Sequence, residues 1–493
     1  MSDNKSKKTA LFVDLDGTLI RTDTLLESII LLLKSHPQKI VSLPVWLFMG
    51  KTYFKNKVSK YTTLRTDMLP YREKVIDFIN KEKGKGREVY LLTAANQKIA
   101  DNVANHLGLF TGAFGSNDKI NLLGKHKLER VYQIIGNAQF DYVGNSVADI
   151  PIWEKANKKI VVNPTKNTKK KIKKFDNLYL IPTNRNVKKI KPLIKGLRIY
   201  QWAKNSLLFL PTIMAHQFTN ANSLVAVFWA FVSFSLCASA VYILNDLLDI
   251  ETDRAHPTKK NRPLASGLMS IKTGVLLIIL LVLISIFISI KILSVTFLII
   301  LLIYMISTTA YSIILKQIML IDVIVLGGLY TLRIAAGSIA SGIEVSSWLL
   351  VFSMFFFLSL AFMKRYADLI LMKQNNYHEI AGRGYNIDDL DLVQKSGITS
   401  GFVAMLVLAL YINSEHVVEL YKSPILIWLT VPVLLYWLMR MWMVTNRGNM
   451  TDDPINYAIR DKATYVAMII IGIIMLLAAT INNSIFNNLN IIQ

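Results

Sequence analysis

The sequence predicts two parts of different fold class: an N-terminal α/β domain with a helical cap, then an all-α polytopic membrane bundle. Hydrophobic residues make up 53% of the 493 residues and charged residues only 18%, yet the formal net charge is +23. Soluble globular proteins rarely combine these values. With a single cysteine, a disulfide scaffold is excluded, and the long apolar runs disfavour a nucleic-acid-binding protein. An integral membrane protein with a basic N-terminal portion is the class that remains.

We predict a domain boundary near residue 190, with the α/β domain in 1–190 and the membrane domain in 191–493. The dense charge lies before this boundary, and apolar stretches follow it. A membrane helix needs about 20 apolar residues. The sequence contains nine segments of about this length: 203–219, 222–244, 272–290, 292–313, 319–340, 346–365, 395–413, 423–443 and 464–482.

The distribution of Lys and Arg predicts the orientation. The breaks at 246–271, near 316, at 364–394 and at 440–462 are basic, whereas the alternate breaks are nearly devoid of Lys and Arg. Because basic loops remain in the cytoplasm, nine spans place the N-terminal domain and every basic loop on the cytoplasmic side. We therefore expect a multi-pass protein of a bacterial-type inner membrane, with its polar chemistry on one face.

Two carboxylates open the α/β domain. Residues 10–13 form an apolar strand that runs into Asp14 and Asp16, followed by Gly17. Carboxylates one residue apart at the carboxyl end of a strand suit attack on phosphorus. One attacks, and the other donates a proton to the leaving oxygen.

The run Asp14-Leu-Asp16-Gly-Thr18 resembles the first motif of the haloacid dehalogenase (HAD) superfamily of phosphatases, which have a Rossmann-like α/β fold. The resemblance implies that Asp14 is the nucleophile and Asp16 the acid. It also implies that Thr93, at the end of a strand over 88–92, holds the phosphate, and that Lys127, at the start of a helix, neutralises charge. Asp14, Asp16 and Asp149, after a strand over 140–143, would bind Mg²⁺.

One departure from the superfamily pattern concerns the metal site. The superfamily commonly has Asp where this chain has Asn145, which removes one negative charge. Because Mg²⁺ needs only one or two carboxylates, catalysis stays the interpretation, with an inert docking domain as the alternative. The helical insertion between Thr18 and Thr93 has strongly apolar segments at 25–33 and 40–49. These segments are either the core of an ordinary cap or a surface resting on the membrane or the other domain.

A ladder of oxygen-bearing side chains lies at the end of the second predicted span. Asn245, Asp249 and Asp253 are spaced i, i+4, i+8, so they share one face of a helix. Such side chains at a membrane boundary are costly unless they bind something. Hard oxygen ligands indicate Mg²⁺ and hence a diphosphate, with Asp246 in support. Lys259 and Arg262 in the adjoining loop suit phosphate binding.

This NDxxDxxxD run, with nine spans, resembles the UbiA superfamily of intramembrane prenyltransferases over roughly 195–485. The usual second DxxxD motif after the fourth span is missing, and the chain has Tyr311, Lys316, Asp322 and Arg333 there instead. The segments 201–205, 364–368 and 448–454 are similar to the decaprenyl-phosphate phosphoribosyltransferase branch.

That resemblance implies transfer of phosphoribose from phosphoribosyl diphosphate to a polyprenyl phosphate. Asp246 and Asp249 would serve catalysis, and Asn245, Asp249 and Asp253 would hold Mg²⁺. The candidates for binding substrate phosphates are polar or basic: Lys204, Asn205, Lys259, Arg262, Tyr311, Lys316, Arg333, Lys364 and Arg365. The expected partners are the two substrates and the bilayer, with no nucleic acid, and a homo-oligomer is left open.

The two activities would be consecutive, because the ribosyl lipid still bears a 5-phosphate that the N-terminal domain would remove. One alternative is a prenyltransferase that uses an isoprenyl diphosphate and an aromatic acceptor, with an unrelated or inactive HAD domain. The missing second DxxxD pair disfavours it. A transporter with a regulatory domain is the other alternative. It would need polar groups near the membrane midplane, whereas the carboxylates and lysines lie at one face.

Overall fold

The computed structural model describes residues 9–182, 190–217, 220–344, 346–374, 383–414, 417, 420–450 and 453–481. The chain divides into two compact units, one of residues 1–198 with 242–279 and one of residues 199–241 with 280–493. The boundary at residue 190 stays a prediction, since residues 183–189 beside it lie outside the described residues.

The first unit is built on a parallel sheet. Its six strands lie in the order β3-β2-β1-β4-β5-β6, and every neighbouring pair is parallel. The strands are β1 Ala10–Val13, β2 Val89–Asn96, β3 Gly112–Ser116, β4 Phe140–Gly144, β5 Lys159–Val162 and β6 Leu178–Ile181. The strand order reverses between β1 and β4, and ligands bind at such a switch point, outside the carboxyl ends of the strands. The α/β prediction is confirmed.

Apolar residues cover both faces of this sheet. In β1, Leu11 and Val13 belong to one buried cluster and Phe12 to another. An uninterrupted apolar run is typical of a parallel strand buried on both faces. The helices of this unit before its membrane segments are α1 Thr24–Ser35, α2 Ser42–Phe48, α3 Lys51–Tyr61, α4 Glu73–Gly84, α5 Gln97–Leu107, α6 Lys125–Ile135, α7 Ile150–Trp153, α8 Lys166–Ile172 and α9 Ile190–Leu197. Helices α1 to α4 form the predicted insertion between β1 and β2.

The regular elements described in the rest of the chain are helices. Short helices are α10 Leu210–Met214, α12 Ile250–Ala255 and α19 Pro454–Ala458. Among the described residues, eight helices are long and apolar enough to cross a membrane. These are α11 Ala221–Leu248, α13 Ile271–Lys291, α14 Val295–Ile313, α15 Ile321–Ser341, α16 Ser347–Gln374, α17 Leu390–Ile412, α18 Thr430–Asn446 and α20 Lys462–Thr480. The spans that include α17 and α18 begin earlier, in the preceding 3₁₀ turns, and cover Ile387–Ile412 and Pro424–Asn446. The all-α membrane prediction is confirmed, with eight such helices in place of nine.

The first predicted span, 203–219, is the one that is not found. A 3₁₀ helix covers Ile199–Phe209, and only the short α10 follows it; residues 218 and 219 lie outside the described residues. Asn205 is buried and hydrogen-bonds Ser235, so this segment packs against protein along its polar side. A Cβ on Gly337 of α15 would lie 2.0 Å from the carbonyl oxygen of Leu208. Glycine is therefore required where the 3₁₀ backbone crosses α15.

Candidate active sites

The phosphatase candidate lies where β1 and β4 end. Asp14 follows β1, Asp149 lies in the 3₁₀ turn Val147–Asp149 after β4, and Lys127 lies in the first turn of α6. The Lys127 Nζ is 2.6 Å from Asp14 Oδ1 and 3.7 Å from Asp149 Oδ1. All three side chains are buried. Lys127 lies 113 positions after Asp14 and 22 positions before Asp149. The structure therefore brings together residues that were predicted from separate motifs.

Neighbouring hydroxyl and amide groups fix these carboxylates. Thr18 Oγ1 donates to Asp14 Oδ2 at 3.0 Å. The Tyr142 hydroxyl accepts from Lys127 at 3.0 Å and donates to Asp149 Oδ1 at 2.8 Å. Asp149 Oδ2 accepts from the backbone N–H groups of Asn145 and Ser146. Tyr142 was not predicted as a site residue, although a tyrosine in a buried strand needs a partner for its hydroxyl.

Burial and neighbouring charges shift the pKa values of Asp14 and Lys127. Burial raises the pKa of Asp14, against the opposing charge of Lys127. Burial alone would lower the pKa of Lys127, but the charges of Asp14 and Asp149 outweigh it and the net pKa is raised. Lys127 therefore stays an ammonium group that can neutralise an incoming phosphate.

Asp16 has a different environment from Asp14. Burial, followed by the charge of Asp23, raises the pKa of Asp16 to about 7. The carboxylate accepts hydrogen bonds from the backbone N–H and the hydroxyl of Thr24, at 2.8 and 3.2 Å. A carboxyl group with a pKa near 7 can hold a proton at neutral pH and donate it.

Thr93 lies in β2, the strand beside β1, and Asn145 directly follows β4. Thr93 was expected at the end of the strand, but β2 continues to Asn96, with irregular register after Leu92. The Thr93 hydroxyl is buried and accepts from the Ala95 N–H at 3.0 Å. A Cβ on Gly17, whose φ is +74°, would lie 2.2 Å from Asn145 Nδ2. The amide that replaces the expected Asp therefore packs directly on the turn that follows the nucleophile.

The carboxylate ladder continues across the end of a helix. Helix α11 ends at Leu248 and α12 begins at Ile250, with Asp249 between them. The Asp249 N–H donates to the Asn245 carbonyl at 2.9 Å, and the Asp253 N–H donates to the Asp249 carbonyl at 2.8 Å. These bonds preserve helical spacing through the break, so the three residues follow one another turn by turn.

Basic side chains of the first unit bind these carboxylates. The Arg262 Nη1 lies 3.0 Å from Asp246 Oδ1 and 2.7 Å from Asp253 Oδ2. Arg198 also donates to Asp246, and Lys34 Nζ of α1 lies 2.9 Å from Asp249 Oδ1. Burial raises the pKa of Asp253, against the charge of Arg262. Arg198 and Lys34 were not predicted, because nothing local in the sequence connects them with the ladder.

The donor atoms at both sites fit Mg²⁺. Among the described residues, no group of three or more His, Cys, Asp or Glu side chains is arranged to hold a metal ion. Mg²⁺, however, is commonly bound by one or two carboxylates together with waters and substrate phosphates. Asp14 and Asp149 converge on one ammonium group, so their oxygens face a shared point. At the ladder, the Asn245 Oδ1 is buried and has no hydrogen-bond partner among the described residues, which leaves an oxygen available to a cation.

Two lysines of the second unit share one carboxylate. Lys204 Nζ and Lys364 Nζ lie 3.2 and 2.9 Å from Asp453 Oδ2. Burial alone would raise the pKa of Asp453, but the two ammonium groups outweigh it and the net pKa is strongly lowered. Asp453 is the N-cap residue of α19, and no role was predicted for it from the sequence.

Arg333 and Asn205 adjoin this lysine pair through an aromatic ring. The Arg333 Nε donates to Asn205 Oδ1 at 2.9 Å. The Arg333 guanidinium lies 5.2 Å and the Lys204 ammonium 5.9 Å from the ring centre of Tyr330. The structure thus groups four of the predicted phosphate-binding residues, namely Lys204, Asn205, Arg333 and Lys364.

Tyr311 and Arg365 belong to a second group in the same unit. The buried Arg365 Nε donates to Asp322 Oδ2 at 2.5 Å, and its Nη2 donates to the Tyr311 hydroxyl at 3.3 Å. Asp322 also accepts from Tyr385 at 2.7 Å and from Arg383 at 3.2 Å. The other two predicted residues lie in short 3₁₀ turns, Lys259 in Lys259–Asn261 and Lys316 in Leu315–Gln317.

Fold and sites together define a multi-pass membrane protein that joins a parallel α/β domain to a helical membrane portion. The model of the UbiA prenyltransferase family matches residues 207–460. The chain therefore belongs to the UbiA prenyltransferase family.

Similar proteins were found for the whole chain and for parts of it. The uncharacterized protein y4nM of Sinorhizobium fredii is 35% identical over 461 residues, which are 93% of this chain and 89% of that protein. The decaprenyl-phosphate phosphoribosyltransferase of Corynebacterium glutamicum is 35% identical over 182 residues, which are 36% of this chain and 55% of that protein. The N-terminal part resembles a crystal structure of phosphoserine phosphatase in the apo form. The identity is 20% and the TM-score 0.27, over 36% of this chain and 94% of that chain.

Proposed function

We propose that the chain transfers 5-phosphoribose from phosphoribosyl diphosphate to a polyprenyl phosphate and then removes the 5-phosphate from the lipid product. In this proposal residues 1–190 are the phosphatase and residues 191–493 the transferase. Both act on the cytoplasmic side of a bacterial-type inner membrane, as the loop distribution of Lys and Arg favours.

The lysine pair on Asp453 is the observation that carries the transferase proposal. A lipid monophosphate acceptor needs cationic groups, and Lys204 and Lys364 are already held at an anion. An isoprenyl diphosphate donor would instead need the second DxxxD motif, which is missing after the fourth predicted span. The similarity to a decaprenyl-phosphate phosphoribosyltransferase supports the same chemistry.

In the transfer step, the bond between ribose C1 and the diphosphate oxygen breaks, and a bond from C1 to a lipid phosphate oxygen forms. Asn245, Asp249 and Asp253 would hold Mg²⁺, which supplies neutralisation of the departing diphosphate. Arg262 lies between Asp246 and Asp253 and so can bind phosphate oxygens once these carboxylates turn to the cation. The enzyme otherwise acts by positioning two anions.

In the hydrolytic step, the Asp14 carboxylate attacks phosphorus and the bond to the ribose 5-oxygen breaks. Asp16, with its pKa near 7, donates the proton that this oxygen needs. Water then attacks the phosphoaspartate, and Asp16 accepts its proton. Lys127 holds the nucleophile in place and neutralises the phosphate, and Mg²⁺ held by Asp14 and Asp149 would add further neutralisation.

The test is incubation of the purified protein with labelled phosphoribosyl diphosphate, Mg²⁺, and a panel of polyprenyl phosphates and aromatic acceptors. We expect label in the lipid phase only with polyprenyl phosphate. Transfer from an isoprenyl diphosphate to an aromatic acceptor, without ribosyl transfer, would contradict the proposal and establish the alternative prenyltransferase.

A further inference from the structure

The cap carries an apolar surface that its own core does not cover. Residues 40–50 contain no charged side chain, and they form the end of the 3₁₀ turn Pro37–Val41, then α2 and the turn to α3. Phe48 is 95% exposed and Val41 is 81% exposed. Four neighbours are also exposed: Ile40, Val45, Leu47 and Met49. We call residues 37–50 the cap hairpin.

One side of the cap hairpin packs against the rest of the cap. The other side is therefore exposed although the hairpin is folded. Trp46 is buried with Leu32, Phe54 and Val58 in a separate apolar cluster. The Trp46 ring also stacks on Tyr61, with 5.8 Å between the ring centres. The hairpin therefore folds back on α1 and α3 and presents Val41 and Phe48 outward.

The charge around the cap hairpin has one sign. Residues 28–66 contain six Lys and one Arg and no Asp or Glu. An apolar surface with Trp, Phe and Leu, flanked by lysines, is typical of segments that lie in the interface of an anionic membrane. A protein partner that carries charges of both signs would not require this excess of Lys and Arg, whereas an anionic membrane surface would attract it.

Contacts within the first unit place the start of the hairpin at a membrane boundary. Helix α11 is a candidate span that ends at Leu248. Lys34, in the last turn of α1, binds Asp249 immediately after that end. On the preceding part of α1, Glu27 forms a buried bidentate pair with Arg254, at 2.6 and 2.9 Å. The chain therefore leaves α1 for the hairpin beside the end of a membrane helix.

We propose that the cap hairpin inserts into the headgroup region of the bilayer, with Phe48 and Val41 as its deepest side chains. Interfacial segments bury their apolar face by about 5–10 Å, a depth that exposed apolar side chains at the two ends of the short helix α2 can reach. The cap is thereby held at the level of lipid headgroups, where a phosphate ester carried by a lipid would be presented. This last consequence rests on the proposed function, whereas the insertion itself does not.

Quenching of a fluorescent probe tests the insertion in the full chain reconstituted in anionic nanodiscs. Cys237 is buried, and a Cys237→Ala background leaves one introduced thiol for an environment-sensitive label. The probe positions are Phe48→Cys and Val41→Cys. Leu180→Cys on β6 is the matched control, since Leu180 is an exposed apolar residue of the same unit at 54%. Phe287→Cys on α13, 61% exposed, reports a lipid-facing position.

We expect lipid-borne nitroxide to quench the probes at Phe48 and Val41, and aqueous iodide to leave them unaffected, as at Phe287. The probe at Leu180 should respond in the opposite way. If iodide quenches the Phe48 probe as strongly as the Leu180 probe, the proposal is wrong. If neither quencher reaches the Phe48 probe, another protein copy covers the hairpin and the proposal is also wrong. No substrate is present, so the result does not depend on whether the proposed reactions occur.

Discussion

Asp14 and Asp16 are separated by a single residue, but their side chains have different partners. Asp14 binds the Lys127 ammonium, whereas Asp16 receives only the hydrogen bonds of Thr24 and is repelled by Asp23. Loss of solvation raises the pKa of both carboxyl groups, and the Lys127 ammonium opposes this at Asp14 through a direct ion pair. These different surroundings are consistent with the proposed roles of Asp14 as nucleophile and Asp16 as acid.

The raised pKa of Asp16 gives a prediction about pH. Asp16 must be protonated to donate to the leaving oxygen, so phosphate release from ribose 5-phosphate should decline as pH rises through about 7. Asp23→Asn removes a negative charge that raises the pKa of Asp16, and asparagine retains the cap that Asp23 provides for α1. The descending limb of the pH profile of kcat/KM, which reports the free enzyme, should therefore move to lower pH.

The control for this prediction is a substrate whose leaving group needs no proton. With p-nitrophenyl phosphate, the descending limb should be weak and should not move in the Asp23→Asn variant. An unchanged limb with ribose 5-phosphate would show that another group is the acid.

The ladder gives a second prediction at the scale of residues. Asp249→Ala or Asp253→Ala should lower transfer of labelled phosphoribose to the lipid by about 100-fold or more, as expected for loss of a group that neutralises the leaving charge. Chelation by EDTA should have the same effect on the unmutated protein. Glu251→Ala is the control, because it lies in the same short helix but outside the ladder spacing. Near-normal transfer by both Asp variants would refute the assignment.

Among the elements, the regular ones were predictable from sequence and the irregular ones were not. Apolar strands and span-length apolar runs led to β1, β4 and eight membrane helices. The prediction of a membrane span over 203–219 was wrong. The segment is apolar on average, but Asn205 and Lys204 bind side chains that are distant in the sequence. Long-range partners such as Asp453 leave no local pattern, so the 3₁₀ helix could not be foreseen.

This 3₁₀ segment and helix α16 supply the lysine pair, which gives a prediction at the scale of elements. Lys364→Ala should raise the KM for polyprenyl phosphate by about 10-fold to 100-fold, the size expected for a lost charge-assisted hydrogen bond. The KM for phosphoribosyl diphosphate should change little. Lys373→Ala is a matched control in the last turn of α16. A larger effect on the KM of phosphoribosyl diphosphate would assign Lys364 to the donor instead.

For the whole molecule, the cap and the ladder lie in one compact unit. The buried pair of Glu27 with Arg254 and the pair of Lys34 with Asp249 join them. The sequence predicted two separate activities from two sets of motifs. It could not predict these pairs, because Glu27 and Lys34 lie in a cap helix with no motif. A product formed at the ladder would thus arise in the same unit as the phosphatase residues.

The consecutive reactions can be separated by one substitution. Asp14→Asn keeps the size of the nucleophile but removes the charge that attacks phosphorus. Lipid labelling from phosphoribosyl diphosphate should continue at a near-normal rate, because the ladder is unchanged. Mass spectrometry of the lipid fraction should then find the product with its 5-phosphate, whereas the unmutated protein should accumulate ribosyl-phosphopolyprenol and release inorganic phosphate. Asp149→Ala should reproduce this product. If the unmutated protein leaves both phosphates on the lipid, the phosphatase domain acts on another substrate, and Asn145 beside Gly17 becomes the first residue to restore to Asp.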